Sequence, residues 1–383
     1  MNDTLKWVED HGAELVESYK YLHSIPELGL QEHKTSAYLA QELRKAGYEV
    51  REGIGGTGVM GTLRGKETGL VFALRADMDA LPVTENTGLP YASTHAGVMH
   101  ACGHDAHCAM LLHAARSIAS TGGIRRGTLK IVFQPAEELL AGARGFLESG
   151  ALSDVEEIVG MHVRPKEEAK VGQATPAVCY GGTTQMKARI HGRAAHSARY
   201  HQGVNVIEAV AAMVNNLNAI HLNPMLAHSV KITQCVVPSK AVNIIPEFAE
   251  ISLDLRAQTN EIMDELSRRA RKAVEDGATA VGAAVEIEQT GTVPSADFDP
   301  VLLEAARASI KAVLGEENLL APIITPGSED FCCYKVEGGI KSAFIGVGGD
   351  MSPGLHTADA RLDIAVLPLG AKILAHLVAG KLC

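Results

Sequence analysis

The sequence predicts an α/β fold with a main domain, whose central mixed β-sheet is flanked by helices, and a smaller inserted α+β domain. A pattern of apolar strand, metal-binding or acidic side chains and helix recurs at residues 71–79, 129–138 and 156–162. Such a pattern is typical of a sheet with its functional groups along one edge. Near residue 180 the pattern changes to alternating strands and amphipathic helices. We therefore expect main-domain segments 1–181 and 293–383 around an inserted domain of residues 182–292.

Composition limits the functional classes. A chain of 383 residues can bury two domain cores, and 46% hydrophobic with 21% charged residues is typical of a globular protein. The net charge of -10 argues against nucleic acid and against anionic membrane surfaces as partners. Without a signal sequence or an apolar run that spans a bilayer, a cytoplasmic location is expected. Seven cysteines, an odd number, indicate reduced thiols.

The first segment is predicted to be mainly helical. Apolar residues at helical spacing predict one helix over residues 5–22, and a second over about 32–46 ends at Gly47. A strand pair at about 48–63 surrounds a glycine-rich loop. This loop lacks the Lys-Ser/Thr ending of a phosphate-binding loop, so it is not interpreted as a nucleotide site.

Two carboxylates follow the buried strand at residues 69–75. Asp77 and Asp79 stand at the strand exit, where they could orient a histidine ligand or contact a metal ion. Capping of the following turn is an equal alternative for each.

The segment of residues 99–107 has the highest density of metal-binding side chains. It contains a thiol, three imidazoles and a carboxylate, and Gly103 relaxes the backbone between Cys102 and His104. A buried, inert Cys102 is the alternative. A helix is expected from Cys108 to Ala119, and Asp105 and His107 would then lie near its N-terminus.

Three further segments carry candidate groups. Glu137 and Glu138 follow a strand at 129–133, so one carboxylate can bind metal while its neighbour moves a proton. Adjacent glutamates also occur at solvated helix starts. His162 ends the apolar run from Val155, and His356 follows a later strand. The thiolate suits zinc, whereas the carboxylates and imidazoles equally accept manganese, cobalt or nickel.

The inserted domain is predicted as strand, helix, strand, strand, helix, strand. Its segments are 183–191, 204–219, 229–237, 247–256, 261–280 and 284–290. His196 and Asn243 lie in loops marked by glycine or proline, and Arg256 ends a strand. Ordinary loop polarity and a surface salt bridge are the alternatives. After this domain, helices at 302–314 and 367–382 enclose a strand at 342–347.

With these residues in place, the chain resembles the metal-dependent amidohydrolases that include hippurate hydrolases, bacterial aminoacylases and plant indole-acetyl-amino-acid hydrolases. The matching segments are 75–82, 100–105, 133–138, 160–162 and 327–331. The resemblance implies two divalent metal ions per subunit, held by Cys102, His104, Glu138, His162 and His356. It also implies Glu137 as general base, and we place Asp79 with it in the catalytic set.

The same resemblance makes the inserted domain a lid and dimerisation module. It implies that His196 stabilises the oxyanion, from its own or a partner subunit, and that Asn243 and Arg256 face the substrate carboxylate. The predicted reaction is hydrolysis of the amide bond of N-acetyl-, N-benzoyl- or indole-acetyl-type amino acids. A dipeptidase or an N-acetyl-diaminopimelate-type deacetylase is the alternative enzyme. The alternative of another class is a catalytically silent metal- or ligand-binding protein. Edge pairing of lid strands would allow a homodimer.

Overall fold

The computed structural model describes residues 2–239 and 241–383. Its α-helices are α1 Asn2–Asp10, α2 Gly12–Ser24, α3 His33–Lys45, α4 His104–Ser120, α5 Gly142–Glu148, α6 Val206–Asn218, α7 Asn260–Thr279, α8 Pro300–Leu314, α9 Cys333–Val336 and α10 Val366–Leu382. Its strands are β1 Glu49–Ile54, β2 Gly58–Arg64, β3 Glu67–Asp77, β4 Arg126–Gln134, β5 Glu157–Pro165, β6 Ala174–Thr175, β7 Val178–Tyr180, β8 Gly182–His191, β9 Ala195–His196, β10 His228–Val236, β11 Ile244–Ile245, β12 Phe248–Ala257, β13 Ala284–Val293, β14 Ile323–Thr325 and β15 Lys341–Met351.

The chain forms two compact units. The larger unit contains residues 1–179, 297–323 and 330–383, and the smaller unit contains residues 180–296 and 324–329. The boundaries lie within a few residues of those expected at 182 and 292, and the segment 324–329 joins the smaller unit in addition. The predicted α/β class with an inserted α+β part is confirmed.

The larger unit is built on a mixed sheet with strand order β1-β2-β4-β3-β5-β15-β6. The central strands β4, β3, β5 and β15 run parallel, whereas β1, β2 and β6 pair antiparallel. Helices α1, α2, α4, α8 and α10 contribute to its main core, in which side chains such as Phe72, Leu112 and Leu374 are buried. Because the carboxyl ends of parallel strands meet at one edge, the segments after β3 and β4 converge there.

The smaller unit has a four-stranded antiparallel sheet with order β10-β12-β8-β13. Alternate residues of β8 and β12 face α6 and α7 and form a separate core that includes Ile190, Leu253 and Leu266. The short strands β9 and β11 pair with each other.

Two sequence expectations are wrong in detail. The helix expected over residues 5–22 is divided into α1 and α2 at His11. His162, expected at a strand exit, lies inside β5, because pairing with β15 continues through Val163 and Arg164.

No helix in the described ranges combines the length and apolarity needed to cross a membrane. The described cysteines are all free thiols, as expected from their odd number.

Candidate metal centre

Consecutive strand ends bring the predicted metal ligands of the larger unit together. Asp79 lies two residues beyond β3, and Glu137 and Glu138 lie in the loop after β4. His104 is the first residue of α4. It follows Gly103, whose φ of 89° favours glycine and where a Cβ atom would lie 2.6 Å from a Val163 methyl carbon. The backbone at this position therefore requires glycine.

The donor atoms of the five predicted ligands converge. Cys102 Sγ lies 3.5 Å from His162 Nε2 and 3.3 Å from His356 Nε2. Glu138 Oε1 lies 3.8 Å from His104 Nε2 and 3.5 Å from His356 Nε2. His104 Nε2 and Glu138 Oε1 are buried, and neither has a hydrogen-bond partner among residues 2–239 and 241–383. Buried polar atoms are normally satisfied, so this pair of unpartnered atoms among sulfur, nitrogen and oxygen donors fits a metal site.

Glu137 lies beside these donors. Its Oε2 atom is 4.0 Å from His104 Nε2, and its side chain is about nine-tenths buried. The carboxylate is therefore within one water molecule of the donor set, the position that a general base needs.

Asp79 orients the donor groups. Its backbone carbonyl and Oδ1 lie 2.9 Å and 3.2 Å from His104 Nδ1, which donates to them and leaves Nε2 to bind metal. Its Oδ2 accepts a hydrogen bond from the backbone N–H of Glu138 at 3.0 Å. Of the alternatives that the sequence left open for Asp79, the geometry favours orientation of a ligand histidine.

A second carboxylate–histidine pair lies behind His162. His107 Nδ1 lies 2.6 Å from Asp77 Oδ1, and His107 Nε2 accepts a hydrogen bond from Val163 N–H at 2.9 Å. The carbonyl of Val163 in turn accepts from His162 Nδ1 at 2.5 Å, so that His162 Nε2 faces Cys102. Burial, together with the nearby His107, holds the pKa of His162 well below its usual value, so this ring is neutral and competent to bind metal.

Sequence reasoning assigned no role to His107. Its spacing of three residues from His104 within α4 places both on one helix face, and this signal could have indicated a shared function. Asp77, His104 and His107 also place one potential ligand atom each within 4.8 Å of one another. However, both ring nitrogens of His107 make hydrogen bonds, so we interpret it as a supporting residue.

Arg75 connects Asp77 to the loop that carries the glutamates. Its fully buried guanidinium donates to Asp77 Oδ2 at 2.6 Å, to Gln134 Oε1 at 2.9 Å and to Asp330 Oδ1 at 3.1 Å. Asp330 Oδ2 accepts from Ala143 N–H at 2.9 Å, just beyond the glutamate loop. Burial raises the pKa of Asp330 to about 6, against the opposing charge of Arg75. Arg75 lies in the sequence motif of residues 75–82, from which no function was predicted for its side chain.

His23 forms a charged cluster next to α4. Its Nδ1 lies 2.6 Å from Asp105 Oδ2, and its Nε2 lies 3.3 Å from Glu85 Oε1. Burial alone would lower the pKa of His23, but these two carboxylates raise it to about 10. His23 is therefore an imidazolium at neutral pH.

Two of the three predicted substrate-binding residues lie together in the smaller unit. His196 pairs with Ile244 in the β9–β11 ladder, and Ser197 N–H donates to the carbonyl of Asn243 at 2.9 Å. His196 Nδ1 accepts from Ala198 N–H at 3.1 Å. In the neutral ring the proton must then reside on Nε2, which makes His196 an exposed hydrogen-bond donor.

Arg256 lies near the end of β12 in the same unit. Its Nε donates to Asp254 Oδ2 at 2.9 Å, and its Nη1 donates to Ser328 Oγ at 3.2 Å. About 40% of its side chain is exposed. These contacts fix the orientation of the guanidinium.

The chain is similar in sequence to known metal-dependent hydrolases. A family model described as peptidase family M20/M25/M40 matches residues 73–380. An N-acetyl-L-cysteine deacetylase of Bacillus subtilis is 30% identical over 341 residues, which cover 88% of this chain and 81% of that protein. A hippurate hydrolase of Campylobacter jejuni is 33% identical over 302 residues, 78% of each protein.

A solved structure has the same architecture. It is a Bacillus subtilis protein described as a dinuclear metal-binding peptidase of the M20 family. The TM-score is 0.85 at 30% identity, and the match covers 98% of this chain and 99% of that chain.

Proposed function

The chain belongs to peptidase family M20/M25/M40, and from this premise we propose that it hydrolyses the amide bond of N-acyl amino acids. The products are a carboxylic acid and a free amino acid. The protein is a metal-dependent amidohydrolase, as its sequence predicted. The names of two relatives, N-acetyl-L-cysteine deacetylase and hippurate hydrolase, describe acylated amino acids and support this substrate class.

One observation carries the proposal: the donor atoms of five side chains converge beside a further glutamate. We assign metal binding to this set, which consists of Cys102, His104, Glu138, His162 and His356. The dinuclear neighbour supports two ions per subunit. When bound, divalent ions polarise a carbonyl and increase the acidity of water.

Glu137 is proposed as the residue that moves the proton. Its carboxylate takes a proton from the attacking water and delivers it to the nitrogen of the leaving amino acid. Asp79 holds His104 and the Glu138 backbone, so its part in the catalytic set is that of a positioning residue.

Roles for the smaller unit remain predictions. The Nε2–H of His196 would donate to the oxyanion, and Asn243 and Arg256 would bind the free carboxylate of the substrate. A bidentate guanidinium suits a carboxylate, so Arg256→Lys is expected to raise KM more than it lowers kcat. Steady-state kinetics on one N-acyl amino acid and on the matching amide without a carboxylate tests this role.

A homodimer through the smaller unit is also proposed. Within the described part of the chain, strand β10 has one neighbour in its sheet, so its outer edge is open there, and Val236 on this strand is exposed. Sedimentation velocity of the wild type and of a Val236→Lys variant tests the proposal, since a charge at the edge opposes pairing. A wild-type monomer would contradict it. The cytoplasmic location likewise remains a prediction.

The experiment that tests the function uses metal-depleted protein with manganese, zinc, cobalt or nickel added back. The substrates are N-acetyl, N-benzoyl and indole-acetyl amino acids, N-acetyl-diaminopimelate and a set of dipeptides, and the readout is released amino acid. Metal-restored hydrolysis of acyl amino acids supports the proposal. Cleavage of dipeptides alone would favour the dipeptidase, and no hydrolysis despite metal binding would favour a binding protein.

Glu137→Gln separates metal binding from proton transfer. We expect unchanged metal content and a turnover lower by roughly 10²- to 10⁴-fold. The matched control is Glu17→Gln, since Glu17 is exposed on α2. An active Glu137→Gln protein would contradict the assignment of the base.

A further inference from the structure

The loop that carries Glu137 begins with an unusual backbone conformation. Ala136 has φ of 53°, in the left-handed region that residues with a side chain rarely adopt. It is fully buried, so water cannot satisfy its N–H group. The carbonyl of Ala136 accepts bonds from the N–H groups of Ala141 and Gly142, both at 3.2 Å, and these close the loop. The direction of Glu137 therefore depends on a conformation that the chain itself disfavours.

The side chain that satisfies Ala136 comes from a distant part of the sequence. Glu32, at the start of α3, is fully buried. Its Oε1 accepts the N–H of Ala136 at 2.9 Å, and its Oε2 accepts the hydroxyl of Thr57 at 2.5 Å. The carboxylate is thus anchored at one oxygen and holds the loop with the other.

The turn before α3 lies directly against the same loop. A Cβ atom at Gly29 would lie 3.1 Å from Ala136 Cα and 2.9 Å from a Leu139 methyl carbon. The backbone of the two segments is therefore in close contact at Gly29 and Ala136.

We propose that Glu32 is a positioning residue that holds Ala136 in the left-handed conformation and so directs Glu137 and Glu138 towards the metal centre. The role rests on the proposed function, because it concerns the proton carrier and one metal ligand of that reaction. Without Glu32, the buried N–H of Ala136 loses its partner and the backbone relaxes towards the right-handed region. The two carboxylates that follow would then turn away from the other donors.

Three variants separate this role from a general effect on folding. Glu32→Ala removes the hydrogen bond. Glu32→Gln keeps an oxygen for Ala136, and its amide can donate to Thr57, whose hydroxyl also accepts. Glu27→Ala is the matched control: Glu27 accepts bonds from the N–H groups of Lys34 and Thr35 at the start of α3, whereas the N–H of Ala136 donates to Glu32.

We expect Glu32→Ala to lower kcat by about 10- to 100-fold with little change in KM, because small displacements of a catalytic group have effects of this size. Glu32→Gln and Glu27→Ala should stay close to the wild type. Adding Ala136→Gly to Glu32→Ala should restore most of the lost kcat, since glycine adopts the left-handed region without a penalty. A Glu32→Gln variant as slow as Glu32→Ala, or no recovery with Ala136→Gly, would overturn the proposal.

A second readout does not depend on catalysis. Hydrogen exchange of the amides of residues 136–142 in metal-free protein should be faster in Glu32→Ala than in Glu32→Gln, and zinc affinity, measured by chelator competition, should fall in parallel. Equal exchange and equal affinity in the two variants would overturn the positioning role. If the wild type hydrolyses no acyl amino acid, the proposed function fails, while these two measurements still decide the role of Glu32.

Discussion

Replacing Arg75 by methionine would test whether one buried guanidinium supports both sides of the metal centre. The change keeps an unbranched apolar stem but removes the guanidinium that donates to Asp77, Gln134 and Asp330, and it leaves Asp77 and Asp330 buried without this cation. Removing one partner of a buried ion pair destabilises a protein by about 3–5 kcal/mol. The matched control is Arg64→Met: Arg64 is 64% exposed and pairs with an equally exposed Glu49, so its loss should change stability by about 0–1 kcal/mol.

The measurement is urea unfolding of metal-free protein followed by tryptophan fluorescence. The single tryptophan, Trp7, lies on α1 of the larger unit, so the signal reports the unit that contains Arg75. Burial already raises the pKa of Asp330 to about 6, and loss of the opposing Arg75 charge raises it further; the same loss removes one of the charges that lower the pKa of Asp77. The Arg75→Met protein should therefore recover part of its deficit as the pH falls from 8 to 5. Equal stabilities of the two variants at pH 8 would refute the supporting role of Arg75.

Three further predictions concern the metal ligands and the charged cluster. His104→Ala should lose both activity and at least one metal ion per chain; full metal content by mass spectrometry would contradict the ligand assignment. Asp79→Ala should weaken metal binding by about 10- to 100-fold, since the carboxylate that orients His104 is gone; chelator competition measures this, and unchanged affinity would count against orientation. The pKa of His23 is about 10 in the folded protein and near 6.5 in the unfolded chain. The charged ring therefore stabilises the fold fully below pH 6.5, and this contribution is lost as the pH rises towards 10. The stability advantage of the wild type over His23→Gln should accordingly shrink by at most about 1.4 kcal/mol per pH unit over that range; a constant advantage would contradict the charged pairing.

Much of the fold follows from local patterns. Apolar runs predicted the parallel strands β3, β4 and β5, and strands of this kind lie side by side in an α/β sheet, so residues beyond their ends were expected to meet. The strand ends were less predictable than the strands. The apolar run that predicted β5 stops at Met161, but hydrogen bonding with β15 extends the strand to Pro165. The position of His162 inside the strand depends on pairing with Gly346 of β15, which is far away in the sequence.

The candidate ligands were predictable because each carries a side chain of metal-binding type in an ordered motif. The supporting residues were not, because their importance arises from contacts across the chain. Glu32 lies 104 residues from Ala136, and Arg75 lies 255 residues from Asp330. One local signal existed for Arg75: a permanently charged side chain in a strand that is otherwise apolar requires a buried partner.

Asp77 and Asp79 were equivalent in the sequence, but the structure gives them different tasks. Asp79 binds Nδ1 of His104 directly, whereas Asp77 acts on His162 through His107 and the backbone of Val163. In both cases Nδ1 of the proposed ligand is occupied, so Nε2 is the nitrogen that remains for a metal ion. Both carboxylates thus leave Nε2 of a histidine ligand for the metal ion, Asp79 by direct contact with the ring and Asp77 through two intermediate groups. Loss of Asp79 should therefore affect its two neighbours His104 and Glu138, whereas loss of Asp77 also removes a partner of Arg75 and should disturb the sheet edge as a whole.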